Sequence, residues 1–158
     1  MKIHYFLFVF ATLFFSCAKN DYNSPETTQQ GDITGTWESI SSEIIAEEGG
    51  KVVDKESTKH TDPLQKQTIV FRSDKSGMEK TYNEDTEMWD ENEFTYTIKG
   101  NKVIIHYSDE SATGVAGMFG IDLENFEMTY AISGNTLKTY FEIEFIGTVK
   151  VTTQYIKK

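Results

Sequence analysis

The sequence predicts an all-β domain, an antiparallel up-and-down barrel of eight or nine strands. Three observations lead there. Aromatic residues make up 13% of the chain and only two Pro occur, while Thr, Val, Ile and Tyr recur at alternate positions, as in strands with one buried face. Two segments repeat the plan strand, Gly-Asn, strand, and a two-residue loop of that kind closes an antiparallel hairpin. The length of 158 residues suffices for one domain with a sizeable core and not for two.

The first segment, residues 1–16, stands apart from this pattern. Lys2 supplies a positive start, Ile3 to Phe15 is apolar apart from His4 and Thr12, and the small Ser16 precedes Cys17. The run is too short to cross a bilayer and fits the apolar region of a secretory signal peptide. Residues 17–31 follow as a polar stretch with almost nothing apolar beyond Tyr22. It cannot bury enough surface to order itself and is expected to act as a tether. The barrel domain is then residues 32–158.

Ile33-Thr34-Gly35-Thr36-Trp37 opens the domain and sets a large indole at the mouth of the first strand. Trp37 to Ala46 is strand-like, and Glu47-Glu48-Gly49-Gly50 turns the chain. A second run starts at Val52-Val53 and fades into the polar Lys55 to Asp62; a third covers Gln67 to Arg72. Ser73 to Gly77 reads as a hairpin loop in which Gly77 is available for positive φ, and Met78 to Tyr82 returns from it. Asn83 to Glu93 reads as an acidic loop carrying Trp89. Its acids lack the alternate spacing and central Gly of a calcium-binding loop and are expected to be solvated.

The two Gly-Asn segments fix their own register. With Gly100-Asn101 as a type II′ loop, Ile98 faces Val103, Tyr96 faces Ile105 and Phe94 faces Tyr107. A slip of one residue would scatter that apolar set over both faces. With Gly134-Asn135 as the loop, Ile132 faces Leu137, Tyr130 faces Thr139 and Met128 faces Phe141. Between the hairpins lies a long connection, residues 108–123, whose small and apolar residues suit either a lid or packing against the barrel end. Glu142 to Phe145 continues the strand before it, Gly147 marks a turn or bulge, and Val149, Val151, Thr153 and Tyr155 alternate to the end.

The inward set expected from this alternation is Trp37, Phe71, Phe94, Tyr96, Ile98, Val103, Ile105, Tyr107, Met128, Tyr130 and Phe141. Its wealth of large aromatics argues for a small cavity or a barrel filled by its own side chains.

Charge and chemistry narrow the functional classes. Lys2 is the only charge in residues 1–16, so the rest carries 14 basic and 25 acidic residues, a net −11. Such a surface repels nucleic acid and anionic headgroups. No catalytic residue is expected: His4 departs with the signal segment, His60 sits in a polar stretch, and His106 faces away from the paired apolar set. No nucleophile-base constellation, phosphate loop or metal-ligand spacing can be placed, and no cofactor is indicated. The single Cys cannot form an internal disulfide.

Leu13-Phe14-Phe15-Ser16-Cys17 resembles the lipobox of bacterial lipoproteins, in the loose form used by Bacteroidetes. That resemblance implies cleavage before Cys17 and acyl chains on it, which would hold the protein to the outer membrane of the cell envelope, facing the periplasm or the exterior. Gly35-Thr36-Trp37, the run of meander hairpins and the ending Tyr155-Ile156-Lys157-Lys158 resemble the lipocalin-like domains of Bacteroidetes lipoproteins. Gly35 and Trp37 match the Gly-x-Trp of lipocalins, where the Trp closes the barrel base. The chain departs from lipocalins in having no Thr-Asp-Tyr in its middle and no Arg in its last strand, where Lys150 or Lys157 stands as the substitute.

The resemblance implies a small hydrophobic ligand held inside the barrel, against Phe71, Phe94, Tyr96, Ile105, Tyr107, Met128, Tyr130 and Phe141. Trp89 and Phe119, in the two longest loops, are the expected rim contacts. The alternative is a side-chain-filled barrel, neither enzyme nor ligand carrier, that docks an envelope protein through its loops.

Overall fold

A computed structural model describes residues 31–107, 125–144 and 147–158. Cys17, the tether up to residue 30, Phe119 and the 108–123 connection lie outside the described residues. The elements are β1 (Gly35–Glu48), β2 (Lys51–Lys59), a single 3₁₀ turn at Pro63–Gln65, β3 (Thr68–Phe71), β4 (Ser76–Asn83), β5 (Met88–Lys99), β6 (Lys102–Tyr107), β7 (Phe126–Ser133), β8 (Thr136–Glu144) and β9 (Thr148–Lys157). All strand pairings are antiparallel. β1, β3, β4, β5, β6, β7, β8 and β9 join in that order, and β9 pairs back onto β1. The result is a closed eight-stranded barrel with β2 as an extra strand.

β1 makes this closure work because it serves three partners. Its first four residues pair with β3, Gly35 opposite Phe71 and Glu38 opposite Thr68. From Ser41 onward the same edge is taken by β2, while the other edge follows β9 from Trp37 to Glu47. A bulge between Ser39 and Ser41 interrupts the β9 ladder. One extra residue there reverses which side chains face inward.

The Gly-Asn hairpins form in the expected register, with Ile98 opposite Val103, Tyr96 opposite Ile105 and Phe94 opposite Tyr107, and Ile132 opposite Leu137 and Tyr130 opposite Thr139. Gly100 and Gly134 take φ of 61° and 58°, whereas neither Asn is left-handed. That combination is the type II′ turn.

Three stretches depart from the sequence reading. The polar residues 55–59 do not fade from strand structure: β2 continues to Lys59, because pairing with β1 needs backbone groups and no buried side chain. Asn83 to Glu93 is not a long loop. β4 runs to Asn83, β5 begins at Met88, and only 84–87 turn. Asp90, Glu91 and Glu93 are strand residues, with Glu91 paired to Lys80 at 2.7 Å and Asp90 bonded to Asn83 at 3.0 Å. Trp89 is therefore a β5 residue, edge-on to Tyr82 at 5.4 Å and beneath the Lys80 ammonium at 5.5 Å. Gly77 does not supply the positive φ of its hairpin, which falls to Lys75 at 70°. A Cβ on Gly77 would lie 2.1 Å from Phe94 Cε2. Gly is needed there so that the Phe94 ring can cross β4.

The interior holds the whole expected inward set. Trp37, Phe71, Phe94, Tyr96, Val103, Ile105, Met128, Tyr130 and Phe141 are buried, and Ile98 and Tyr107 pack against them half-buried. Ile33, Ile69, Phe126, Leu137, Val151 and Tyr155 complete the cluster. Phe71 meets Tyr96 and Phe94 edge-on at 5.0 and 5.6 Å, and Phe94 meets Tyr107 at 5.8 Å. Edge-to-face contacts of this kind add about 0.5–1.5 kcal/mol each beyond burial.

Candidate functional site

Polar side chains are costly inside a barrel unless paired, so the buried ones mark where the interior does more than pack. Gly77 faces inward opposite Phe94, and the strand period of two then turns Glu79 inward as well. Glu79 is 2% exposed. Its neighbours across the ladder are Ile69 of β3 and Asn92 of β5.

Every hydrogen bond of this cluster runs toward the Glu79 carboxyl. The Tyr107 hydroxyl donates to Oε2 at 2.7 Å. Gln67 Nε2 donates to Oε1, and the Tyr155 hydroxyl donates to Gln67 Oε1 at 2.7 Å. Burial pushes the Glu79 carboxyl above its ordinary range, opposed by the bonds from Tyr107 and Gln67. The two tyrosines are pushed up as well, first by burial and then by the nearby Glu79. Asn92, opposite Glu79 on the ladder, has its Nδ2 buried and without a hydrogen-bond partner among the described residues. An unsatisfied buried donor costs about 1–3 kcal/mol.

His60 forms a second polar station, joined to the first through Ser39. Ser39 Oγ accepts from the Gln67 amide N–H at 2.8 Å and lies 2.6 Å from His60 Nδ1. The other ring nitrogen, Nε2, lies 3.1 Å from Ser42 Oγ. The pattern assigns a neutral ring: Ser39 donates to Nδ1, and Nε2–H donates to Ser42. Burial lowers the His60 pKa in the same sense. Ser39 is fully buried, which keeps its hydroxyl out of reach of an external substrate.

At the start of the domain, Trp37 is wholly buried and its Nε1–H donates to the Ile33 carbonyl at 2.7 Å. Lys157 Nζ stands over its ring, 5.2 Å from the centroid. Of the two lysines expected in place of the missing Arg, Lys157 occupies that position. Lys150 pairs instead with Glu47 at 2.8 Å.

The sequence-predicted residues separate into three places. Phe94 and Tyr107 adjoin the Glu79 cluster, and Tyr107 is part of it. Phe71, Tyr96, Ile105, Met128, Tyr130 and Phe141 form the apolar packing around it. Trp89 stands 39% exposed on β5, apart from both. Sequence reasoning missed Glu79, Gln67, Asn92, Ser39 and Tyr155. The signal that finds Glu79 and Asn92 is the pairing of Gly77 with Phe94, which fixes the inward face of β4 and its partner β5. Among the described residues no group of three or more His, Cys, Asp or Glu is placed to hold a metal ion.

The model of a family described as a lipocalin-like domain matches residues 33–119. A crystal structure of a lipocalin-like protein from Bacteroides uniformis ATCC 8492 superposes with a TM-score of 0.53 at 18% identity, covering 81% of this chain and 100% of that one. An uncharacterized protein from Bacteroides eggerthii DSM 20697 gives a TM-score of 0.48 at 13% identity, covering 80% and 100%. No curated protein matches in sequence.

Proposed function

Because the chain belongs to the lipocalin-like domain family, we propose that it is a lipid-anchored binding protein of the cell envelope. Its barrel takes a small hydrophobic ligand whose polar end meets Glu79 and Asn92. The observation that carries this reading is the Asn92 Nδ2, buried on the residue opposite Glu79 and without a partner among the described residues. An interior amide without an acceptor is satisfied when a ligand oxygen reaches it. The protein is a carrier and not an enzyme: of the two serines that His60 touches, Ser39 is enclosed, and both contacts tie β1 to the chain after β2. Anchoring rests on Cys17 after the apolar segment 3–15, with the outer membrane as the destination.

Two measurements test the parts separately. Native mass spectrometry of the protein from its own cells should show a bound small molecule, and a neutral apolar fluorescent probe should enter the barrel and be displaced by it. Asn92→Leu should weaken that displacement by about tenfold, the value of one buried hydrogen bond. A barrel that carries nothing and takes up no probe overturns the ligand reading. For the anchor, metabolic labelling with a fatty-acid analogue should mark the protein, and Cys17→Ala should abolish the mark.

A second reading has its own observation. The ring contacts among Phe71, Phe94, Tyr96 and Tyr107 fill much of the cross-section with side chains. A filled barrel would serve as a scaffold docking an envelope protein, with Trp89 exposed beside Tyr82. Loss of partners from a pull-down with Trp89→Ala, together with no probe uptake, supports that reading over the first.

A further inference from the structure

The outer wall of the barrel carries a polar recess that the interior site does not explain. Leu137 and Thr139 are buried on β8, and Thr153 and Tyr155 on β9, so Lys138 and Gln154 face outward. The bulge in β1 turns Ser41 to the same side, since Ser39 pairs with Tyr155 but Ser41 pairs with Gln154. The ladder then sets Lys138 opposite Gln154, Gln154 opposite Ser41, and Ser41 opposite Lys59. At about 4.8 Å per strand these four residues make one row roughly 14 Å long, with a lysine at each end and an amide and a hydroxyl between.

The neighbouring rows shape a hollow around it. Ser57 of β2 lies opposite Glu43, and Glu43 opposite Thr152. The recess, a shallow hollow open to solvent, has a volume of about 450 Å³ and is lined by Ser, Thr, Lys, Glu and Gln side chains, with no aliphatic or aromatic residue among them. Lys55 is neutralised by Glu43 at 2.7 Å. Lys59 and Lys138 form no ion pair among the described residues. Two such ammonium groups flank one hollow in a chain of net charge −10, which concentrates positive potential where the rest of the surface is negative.

We infer that this recess binds an acidic oligosaccharide, with Lys59 and Lys138 meeting carboxylate or sulfate groups and Ser41, Ser57 and Gln154 meeting sugar hydroxyls. Lysines at the two ends of the row, with hydroxyl and amide groups between them, suit an extended ligand that carries spaced anionic groups. Short hydroxyl and amide side chains both donate and accept, which suits a ligand rich in hydroxyls. Single-stranded nucleic acid would call for aromatic stacking platforms and a basic groove, and no ring lines the recess. A peptide adding as a strand would need free backbone groups; both edges of β1 and β9 are occupied by neighbouring strands, and the open edge of β2 lies at the end of the row and not across it.

The test uses the full chain and three hexasaccharides: chondroitin sulfate, hyaluronan and neutral maltohexaose. Calorimetry should show binding of the two acidic chains, weakened by added salt, and none of maltohexaose. The double variant Lys59→Ala/Lys138→Ala should bind at least about tenfold more weakly, the value of a charge-assisted hydrogen bond. Lys99→Ala/Lys102→Ala, on the opposite wall, should bind as the parent does. As a readout free of any substitution, the backbone amides of Ser41, Ser57 and Gln154 should shift in NMR spectra on titration with the acidic chains. The proposal is overturned if maltohexaose binds equally, if inorganic sulfate at matched charge reproduces the shifts, if the acidic chains move none of those amides, or if the folded double variant binds unchanged.

Discussion

Lys157 packs its side chain across the floor left by Gly35 and sets its ammonium 5.2 Å from the centre of the Trp37 ring. A Cβ on Gly35 would lie 2.7 Å from Lys157 Cε, and Gly35 itself has φ of 137°. Gly35, Trp37 and Lys157 therefore form one unit in which a residue with no side chain admits the cation that covers the indole. The first and last strands of the barrel are fastened by it.

Lys157→Ala should lower stability by about 0.5–1 kcal/mol, the range of an exposed cation–π contact, and Lys157→Arg should retain it. Gly35→Ala should cost more, about 1–3 kcal/mol, because that φ strains any residue with a Cβ. Placing Gly35→Ala in the Lys157→Ala background should cost less than in the parent by the value of the lost ring contact. Urea unfolding of the four proteins measures all three terms. Strict additivity would show that Gly35 and Lys157 act separately.

Gly77→Ala tests crowding without backbone strain, since its φ is not left-handed. The new methyl would meet Phe94 Cε2 at 2.1 Å and the Val70 carbonyl oxygen at 2.7 Å. Overpacking of this kind costs about 1–3 kcal/mol. Combining it with Phe94→Leu should recover part of that loss and no more, because the Val70 contact is with backbone. Thermal unfolding of the two single variants and the double variant measures the coupling.

These two glycines also show what the chain discloses in advance. The Gly-Asn hairpins were legible down to single cross-strand pairs, because a two-residue turn leaves one register that keeps Ile98, Tyr96 and Phe94 on a common face. The closed barrel followed from repeating such hairpins. Glu79 was not legible: in Met78-Glu79-Lys80 it looks like one more solvent-facing charge in a polar hairpin. Its burial comes from the β3–β4–β5 pairing, which requires knowing that Phe94 stands opposite Gly77. Trp89 was misplaced for the converse reason. Acids around it suggested a solvated loop, whereas cross-strand partners such as Lys80 and Asn83 let the same residues extend the sheet.

Glu79 makes stability fall as pH rises. Burial holds its folded pKa above the ordinary value of 4.5, so above that pH the folded protein binds more protons than the unfolded chain. Stability then declines with rising pH until the folded carboxyl has also ionised, at up to about 1.4 kcal/mol per pH unit. Glu79→Gln keeps the shape, removes the titration and should flatten this slope. Urea midpoints at intervals from pH 4 to 8 give the comparison. An unchanged slope would mean that the carboxyl is paired with a cation or hydrated.

His60 acts on the acid side, and with the opposite sign. Its folded pKa lies below the ordinary 6.5 because of burial, so as pH falls below that value the unfolded chain takes up a proton that the folded ring resists. Stability is lost from pH 6.5 downward until the folded ring is protonated too. Protonation would direct Nδ1–H at Ser39 Oγ, which already accepts the Gln67 amide N–H, and the Ser39 hydroxyl would lose its acceptor. Asp32, Glu38 and Asp74, whose pKa values are lowered by hydrogen bonds, contribute losses only at lower pH, below the ordinary carboxylate range. His60→Gln should therefore remove the decline just below pH 6.5 and leave the later one. It should also cost about 1–2 kcal/mol at pH 7.5, through imperfect bonding to Ser39 and Ser42. Proton NMR of the His60 ring gives the direct check, since a pKa at or above 6.5 in the folded protein contradicts the lowering by burial on which this loss depends.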